Sequence, residues 1–395
     1  MRKGHMIYGG LGLAHTAILD APNIDCREFL RVLLLRADSR SANLGVRVLA
    51  EGTAALVRQA WGPSTTVHLQ NFDGGDTGQS FNKAAIAKDV FRKNGPIKST
   101  LRKYDVVIDV CGGDSFTDSY GLKRLGLILY TQSASQKLRI PTMLSPQTIG
   151  PFTNRVARAL ASRSLKRMTM VLSRDKASEQ YSASLGRPVD LSATDVVFAL
   201  PAPTTPKTRD IVLNVSGLLW NENSHVDSTV YRASVHSLIA ALQERGHPIT
   251  FMPHVLDNPR SDNDVPIAVE LAHQYETTTD LAVPTSLQDA RSIVSSARLV
   301  IGSRMHACLN AISTGTPAIP WAYSRKFAPL LEDIGWDEVV DLRTDPDPVK
   351  ITLDILDKHS IADLTARNVT VVERAQARLT EVLAALQMSG AERTR

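Results

Sequence analysis

The sequence predicts an α/β protein made of two Rossmann-like domains with parallel sheets, facing each other across a cleft. Three observations carry this. Short apolar runs alternate with helix-length segments from about residue 30 to 200, and the alternation restarts at Asp210; such alternation builds a parallel sheet covered on both faces. Between the two stretches lies PAPTTPKTR, Pro201–Arg209, whose three prolines and three threonines mark a linker. The 395 residues also exceed the roughly 250–300 at which a single core stops growing.

The elements follow in order. A first strand is expected at Leu30–Arg36, then a polar loop through Asp38, Ser39, Ser41 and Asn43, a helix over Leu44–Trp61 and a strand at Thr65–Leu69. Asn71–Gln79 is polar and glycine-rich, hence loop. The continuous apolar run Tyr104–Val110 is a buried strand. A helix over Tyr120–Leu138, a strand at Pro141–Ser145, a loop at Pro146–Pro151, a helix over Thr153–Lys166, a strand at Met168–Ser173 and a helix over Lys176–Leu185 complete the first half.

In the second half, strands are expected at Asp210–Val215 and Ile249–Met252, with helices over Asp227–Arg245 and near Asp264–Tyr275. Ser286 caps a further helix. A long Ala/Leu/Glu/Arg-rich helix spans Ile361–Gln387. The expected organisation is an extension at 1–28, domains at 29–200 and 210–360 around the 201–209 linker, and a C-terminal helix at 361–395 packing back on the first domain.

Composition narrows the function classes. Hydrophobic residues make up 43%, charged residues 22% and aromatics 5%, and the formal net charge is +5. That mild basic excess suits anionic small molecules or a membrane-proximal substrate, and no motif points to nucleic acid. The three cysteines, Cys26, Cys111 and Cys308, are widely spaced and form no CxxC, which fits a reducing cytoplasm. The histidines show no metal-ligand spacing, so no metal is expected. No apolar stretch reaches ~18 residues, so no membrane span is expected.

The most informative segment is Arg298–Pro320, RLVIGSRMHACLNAISTGTPAIP. A β-branched run ends in Gly302, Ser303 is expected as an N-cap, and a helix opens with Arg304, Met305 and His306 before Gly315 closes it. Free N–H groups and the helix dipole favour an anion there. Arg304 adds a planar fork for carboxylate or phosphate. His306 adds a proton carrier near neutral pH. A salt bridge for Arg304 and core packing for His306 are the structural alternatives.

Other candidates sit at strand ends, where open α/β sheets bind ligands. In DVCGGDSFTDSYG, Gly112 and Gly113 permit close backbone approach, and Asp114 and Asp118 are either sugar-hydroxyl bases or helix-start acids. In PQTIGP, Gln147 offers neutral hydrogen bonds. Arg174 of Ser173-Arg174-Asp175 either faces the cleft or pairs at the surface, with Asp175 as an N-cap. His254 of MPHV is a cleft residue or a structural histidine. Ser324, Arg325 and Lys326 of YSRKF help bind an anion or form a solvated turn.

Taken in order, ANLGVRVLAEG, DVCGGDSFTDSYG, PQTIGPF, SRDKAS, ATDVVFAL, NVSGLLW, MPHV and GSRMHACLNAISTGTPAIPWAYSRKF resemble the polysaccharide pyruvyl transferase family over nearly all of the chain after residue 30. The resemblance implies a GT-B-like fold and transfer of the pyruvyl group of phosphoenolpyruvate to two hydroxyls of a sugar or lipid-linked glycan, with no cofactor. It implies Asp118 as base, His306 as acid, and Arg304 and Arg174 as phosphoenolpyruvate ligands assisted by the Ser303–Met305 backbone. Where the family often has N-x-G-D, this chain has Asn43-Leu44-Gly45-Val46. The protein is expected in the cytoplasm, with the inner membrane face as a candidate location. The alternatives are a GT-B glycosyltransferase using a nucleotide sugar and an inactive binding or scaffold protein of polysaccharide assembly.

Overall fold

The structure, a computed structural model, describes residues 30–112, 115–276 and 279–391. The expected extension at 1–28, Gly113 and Asp114 lie outside the described residues.

The first half runs β1 (Arg31–Leu35), α1 (Leu44–Trp61), β2 (Thr66–Gln70), α2 (Lys83–Val90), α3 (Pro96–Leu101), β3 (Val106–Asp109), β4 (Ser115–Phe116), α4 (Leu122–Lys137), β5 (Thr142–Ile149), α5 (Arg155–Leu165), β6 (Met170–Ser173), α6 (Lys176–Ser184), β7 (Leu191–Ser192) and a 3-10 turn, Val196–Ala199. The second half runs β8 (Arg209–Asn214), α7 (Gly217–Trp220), α8 (Ser228–Glu244), β9 (Ile249–Phe251), α9 (Val265–Gln274), β10 (Thr279–Leu281), α10 (Leu287–Ser295), β11 (Ala297–Gly302), α11 (Met305–Ser313), β12 (Ala318–Ala322), α12 (Phe327–Ile334), β13 (Val340–Asp341), α13 (Pro348–Lys358) and α14 (Ile361–Ala391).

The strands form two sheets, ordered β2-β1-β3-β5-β6-β7 with β4 on β5, and β10-β9-β8-β11-β12-β13. All their pairings are parallel. Their inner strands read as unbroken buried runs, Val32–Leu35, Val106–Asp109 and Leu299–Gly302, because helices cover both faces. Order reverses between β1 and β3 in the first sheet and between β8 and β11 in the second. Ligands of such sheets bind beyond the strand ends at that reversal.

One expected loop is corrected. Pro146–Pro151 is not a connection throughout, because β5 continues through Gln147 and Thr148 to Ile149. The register against β6 shifts between Leu144 and Gln147, and a bulge is where a strand accommodates proline. Helix starts follow their capping residues. Asn43 accepts from Gly45 N–H, Asp175 from Ser178 and Ser286 from Asp289.

The halves are joined by a backbone bridge and by helix α14. Asn43 and Val255 form an antiparallel bridge, with Leu44 N–H on the His254 carbonyl at 3.1 Å and Leu256 N–H on that of Ala42 at 2.8 Å. Helix α14 lies against α1 and α11. It ties to them where Trp61 Nε1 donates to the Leu386 carbonyl and Asn368 Nδ2 to that of Ile312. No helix among the described residues is long and apolar enough to cross a membrane.

Candidate functional site

The end of β11 meets the end of β8 at the second sheet's reversal point. Asn214, the last residue of β8, organises the junction. Its carbonyl accepts Ser303 N–H at 3.1 Å and its Oδ1 accepts Arg304 N–H at 3.0 Å. Ser303 is therefore not the N-cap: its hydroxyl pairs with Tyr231 Oη at 2.8 Å, and Arg304 takes the extended N-cap position. No side chain caps α11, so its first N–H groups remain for an anion.

Arg304 is held from behind. Its Nη2 lies 2.6 Å from Asp264 Oδ1 and its Nε 3.2 Å from the same oxygen. Burial opposes the charge, but the Asp264 carboxylate outweighs it and pushes the guanidinium pKa further up. Arg304 is thus a fixed cation, and its Nη1 has no partner among the described residues. Asp264 also accepts the N–H groups of Gly217, His254 and Val255, so one carboxylate fixes the arginine and the loop after β9 together.

His306, the second residue of α11, reaches toward the first half. Its Nε2 lies 3.4 Å from Oδ2 of Asp195, which accepts Val197 N–H at 3.0 Å at the start of the 3-10 turn. The same Oδ2 accepts Arg174 Nη1 at 2.9 Å. Burial opposes ionisation of Asp195. His306, Arg174 and the Val197 N–H overcome it and hold the carboxyl well below the usual carboxylate range. Two close approaches require glycine. A Cβ on Gly45 would lie 2.8 Å from His306 Nδ1, and one on Gly52 would lie 2.4 Å from the Val196 carbonyl oxygen. Helix α1 therefore presses directly on the imidazole and on the turn that presents Asp195.

Between the halves lies a cavity of about 890 Å³. Six cations line it: Arg124, Arg260, Arg304, Arg325, Lys326 and Arg343. Among the described residues one carboxylate stands against them, Asp262, whose Oδ1 is buried without a partner. Of the residues expected from sequence, Gly112, His254, Met305, His306 and Ser324 also line it. His254 is buried and neutral: desolvation first, then the His306 and Arg304 charges, push its pKa well below 6.5. Arg291 donates to Asn310 Oδ1, so Asn310 Nδ2 donates to His254 Nε2 at 3.0 Å. The imidazole proton of His254 is thereby assigned to Nδ1.

Three expected site residues face elsewhere. Arg174 does not point into the cleft; it is 1% exposed and engaged with Asp195 and with Thr148 Oγ1 at 3.0 Å. Gln147 is buried in β5, its Nε2 on the Asp109 carbonyl at 3.2 Å. Asp118 accepts the N–H groups of Thr153 at 2.9 Å and Asn154 at 2.8 Å and the Thr153 hydroxyl at 3.2 Å, tying the loop before α4 to the start of α5. Burial raises its pKa, but these donors lower it by more.

Asp118→Asn is expected to destabilise the protein by about 1 kcal/mol, because part-buried donors lose their charged acceptor. It leaves kcat within a few-fold. The carboxyl's pKa is depressed in the folded state. Its contribution is therefore complete above the unfolded value, about 3.9, and is lost as pH falls through the lower folded value. Urea melts of both proteins should converge in acid.

Sequence reasoning missed Asp195, Asp264 and Asp262. Asp195 lies within ATDVVFAL and Asp264 opens the expected helix near Asp264–Tyr275, but each acid acts through partners from distant elements.

Fold and site together define a two-domain, GT-B-like protein with a cation-lined cleft between its domains. The chain belongs to the polysaccharide pyruvyl transferase family, whose model matches residues 43–325. The amylovoran biosynthesis protein AmsJ of Erwinia amylovora is 22% identical over 261 residues, 60% of this chain and 61% of that protein. The chain thus spans about three fifths of the curated relative it matches. Among solved structures, a putative UDP-N-acetylglucosamine 2-epimerase from Listeria monocytogenes superposes with a TM-score of 0.57 at 13% identity, covering 92% of this chain and 97% of that one. UDP-GlcNAc 2-epimerase from Methanocaldococcus jannaschii gives 0.55 at 11%, covering 84% and 93%. Anabaena Alr3699/HepE in complex with UDP gives 0.53 at 12%, covering 92% and 99%. At these identities the likeness is one of fold.

Proposed function

We propose that this protein transfers the pyruvyl group of phosphoenolpyruvate onto two hydroxyls of a glycan, forming a ketal and releasing phosphate. The observation that carries the reading is the sharing of one cation-lined cavity by the Asp195-backed imidazole of His306 and the Asp264-backed guanidinium of Arg304. Phosphoenolpyruvate brings a carboxylate and a phosphate. Arg304 Nη1 and the open N-terminus of α11 take one, and Arg260, Arg325 and Lys326 offer charge for the other.

Protonated His306 donates to the enol methylene carbon, which becomes the methyl group. The first acceptor hydroxyl adds to C2 and its proton passes to Asp262, a carboxylate of the cavity lining. The C2–O bond to phosphate then breaks, and phosphate leaves with the electron pair. The second hydroxyl closes the ketal on the oxocarbenium-like centre and its proton returns to His306, while the proton on Asp262 leaves with phosphate. Asp195 faces the imidazole Nε2, and Arg174 holds Asp195 rather than substrate. Asp118 has a structural part in this scheme.

The test is phosphate release from phosphoenolpyruvate, with and without a diol-bearing glycan. Release that depends on both supports the reading. Arg304→Lys, which loses the planar fork, is expected to raise KM for phosphoenolpyruvate at least tenfold. An unchanged KM would remove Arg304 from donor binding.

A further inference from the structure

The chain's positive charge is not evenly spread. Between Asp118 and Asp175 there is no aspartate or glutamate, while ten lysines and arginines occur. The whole chain holds 45 basic and 40 acidic residues, so the rest of it is net acidic. This stretch contains α4 and α5, which pack side by side against the first sheet. Gln136 Nε2 donates to the Ser164 carbonyl, and the Ser164 hydroxyl donates to Gln132 Oε1.

The outer surface of these helices is apolar as well as basic. On α5, Val156 is 67% exposed and Leu160, one turn on, 50%; at the start of α4, Leu122 is 54% exposed. Arg155, Arg158 and Arg163 are exposed on α5 and Lys123 on α4. The two helix starts are held together by Asp118, which sits before α4 and accepts N–H groups from Thr153 and Asn154 before α5. Ser119 and Tyr120, between Asp118 and α4, line the cleft cavity. An apolar and cationic surface therefore continues directly from the mouth of the site.

We propose that this α4–α5 face docks the protein onto an anionic lipid bilayer, with Val156, Leu160 and Leu122 entering the headgroup region and the arginines and Lys123 on lipid phosphates. A water-facing helix seldom leaves branched apolar side chains exposed one turn apart; a helix lying in a membrane interface places such residues among cations. The absence of acids across the stretch removes the repulsion that an anionic surface would otherwise meet. Each cation near such a surface strengthens binding by roughly fivefold. The inference rests on the pyruvyl-transfer reading only in that docking would bring the cleft mouth to a membrane-borne acceptor.

The test is sedimentation of the full chain with vesicles, made either of phosphatidylcholine alone or of one part phosphatidylglycerol to three parts phosphatidylcholine. No turnover is measured, so failure here leaves pyruvyl transfer untouched. The expected result is binding to the mixed vesicles, little binding to the neutral ones, and release by salt as charges are screened. Arg155→Glu/Arg158→Glu should lower binding by more than tenfold and Val156→Ser/Leu160→Ser by several-fold, each with unchanged melting. Arg245→Glu, on the other domain, should bind as wild type. Equal binding to both vesicle types, no binding to either, or wild-type binding by the Arg155/Arg158 variant would overturn the proposal.

Discussion

His306→Ala is expected to lower phosphoenolpyruvate-dependent phosphate release by about 10²–10⁴-fold at saturating donor, the range a positioned acid–base group supplies. The fold should survive, since the imidazole lines a cavity and Asp195 keeps Arg174 as its partner. The loss should fall on kcat more than on KM, because Arg304 and the open end of α11 still hold the anion. His306→Gln, which keeps a polar group facing Asp195 but has no acidic proton to give, should be nearly as impaired. A His306→Ala enzyme with wild-type kcat would remove the imidazole from the chemistry.

Asp195→Ala should cost about 3–5 kcal/mol of stability, because it strands a buried arginine. Asp195 is fully buried and Arg174 is 1% exposed, so solvent screens neither. The paired substitution Asp195→Leu/Arg174→Met should cost less than Asp195→Ala alone, since it removes both charges. Its activity should still be low, because His306 has lost the carboxylate that faces its Nε2. Urea denaturation of the three proteins checks the order. The sign with pH follows from the depressed folded-state pKa of Asp195. Its contribution is complete above the unfolded value, about 3.9, and disappears as pH falls through the lower folded value. A double variant as unstable as the single one would contradict the ion-pair account.

The sequence made the architecture legible where elements were long. Helix α1 begins and ends as its Asn43 cap and the glycine at residue 62 imply, and the buried strands read as continuous apolar runs. The short pieces were not legible: α2, α3, β4, β7 and the 3-10 turn are too brief to show a period. Strand β5, expected to end at Ser145 with a loop from Pro146, runs on to Ile149 across the register shift beside the proline.

In the site, residue types were legible and directions were not. Arg304 and His306 follow a strand and a glycine turn, a local pattern that fixes where they emerge. Arg174 also ends a strand, yet its guanidinium turns inward because Asp195, two elements later, awaits it. Asp118 turns to the N–H groups of Thr153 and Asn154. Its spacing from Asp114 carried no sign of that. Tertiary partners far apart in sequence decide such orientations, so Asp195 and Asp262 become candidates only once the two halves are brought together.

The central claim is tested most directly by mass spectrometry of a defined acceptor glycan incubated with the purified protein and phosphoenolpyruvate. A gain of one carboxyethylidene unit per acceptor is expected, with one phosphate released for each. A glycan unchanged by phosphoenolpyruvate, yet extended by a sugar when a UDP-sugar is supplied instead, would contradict it.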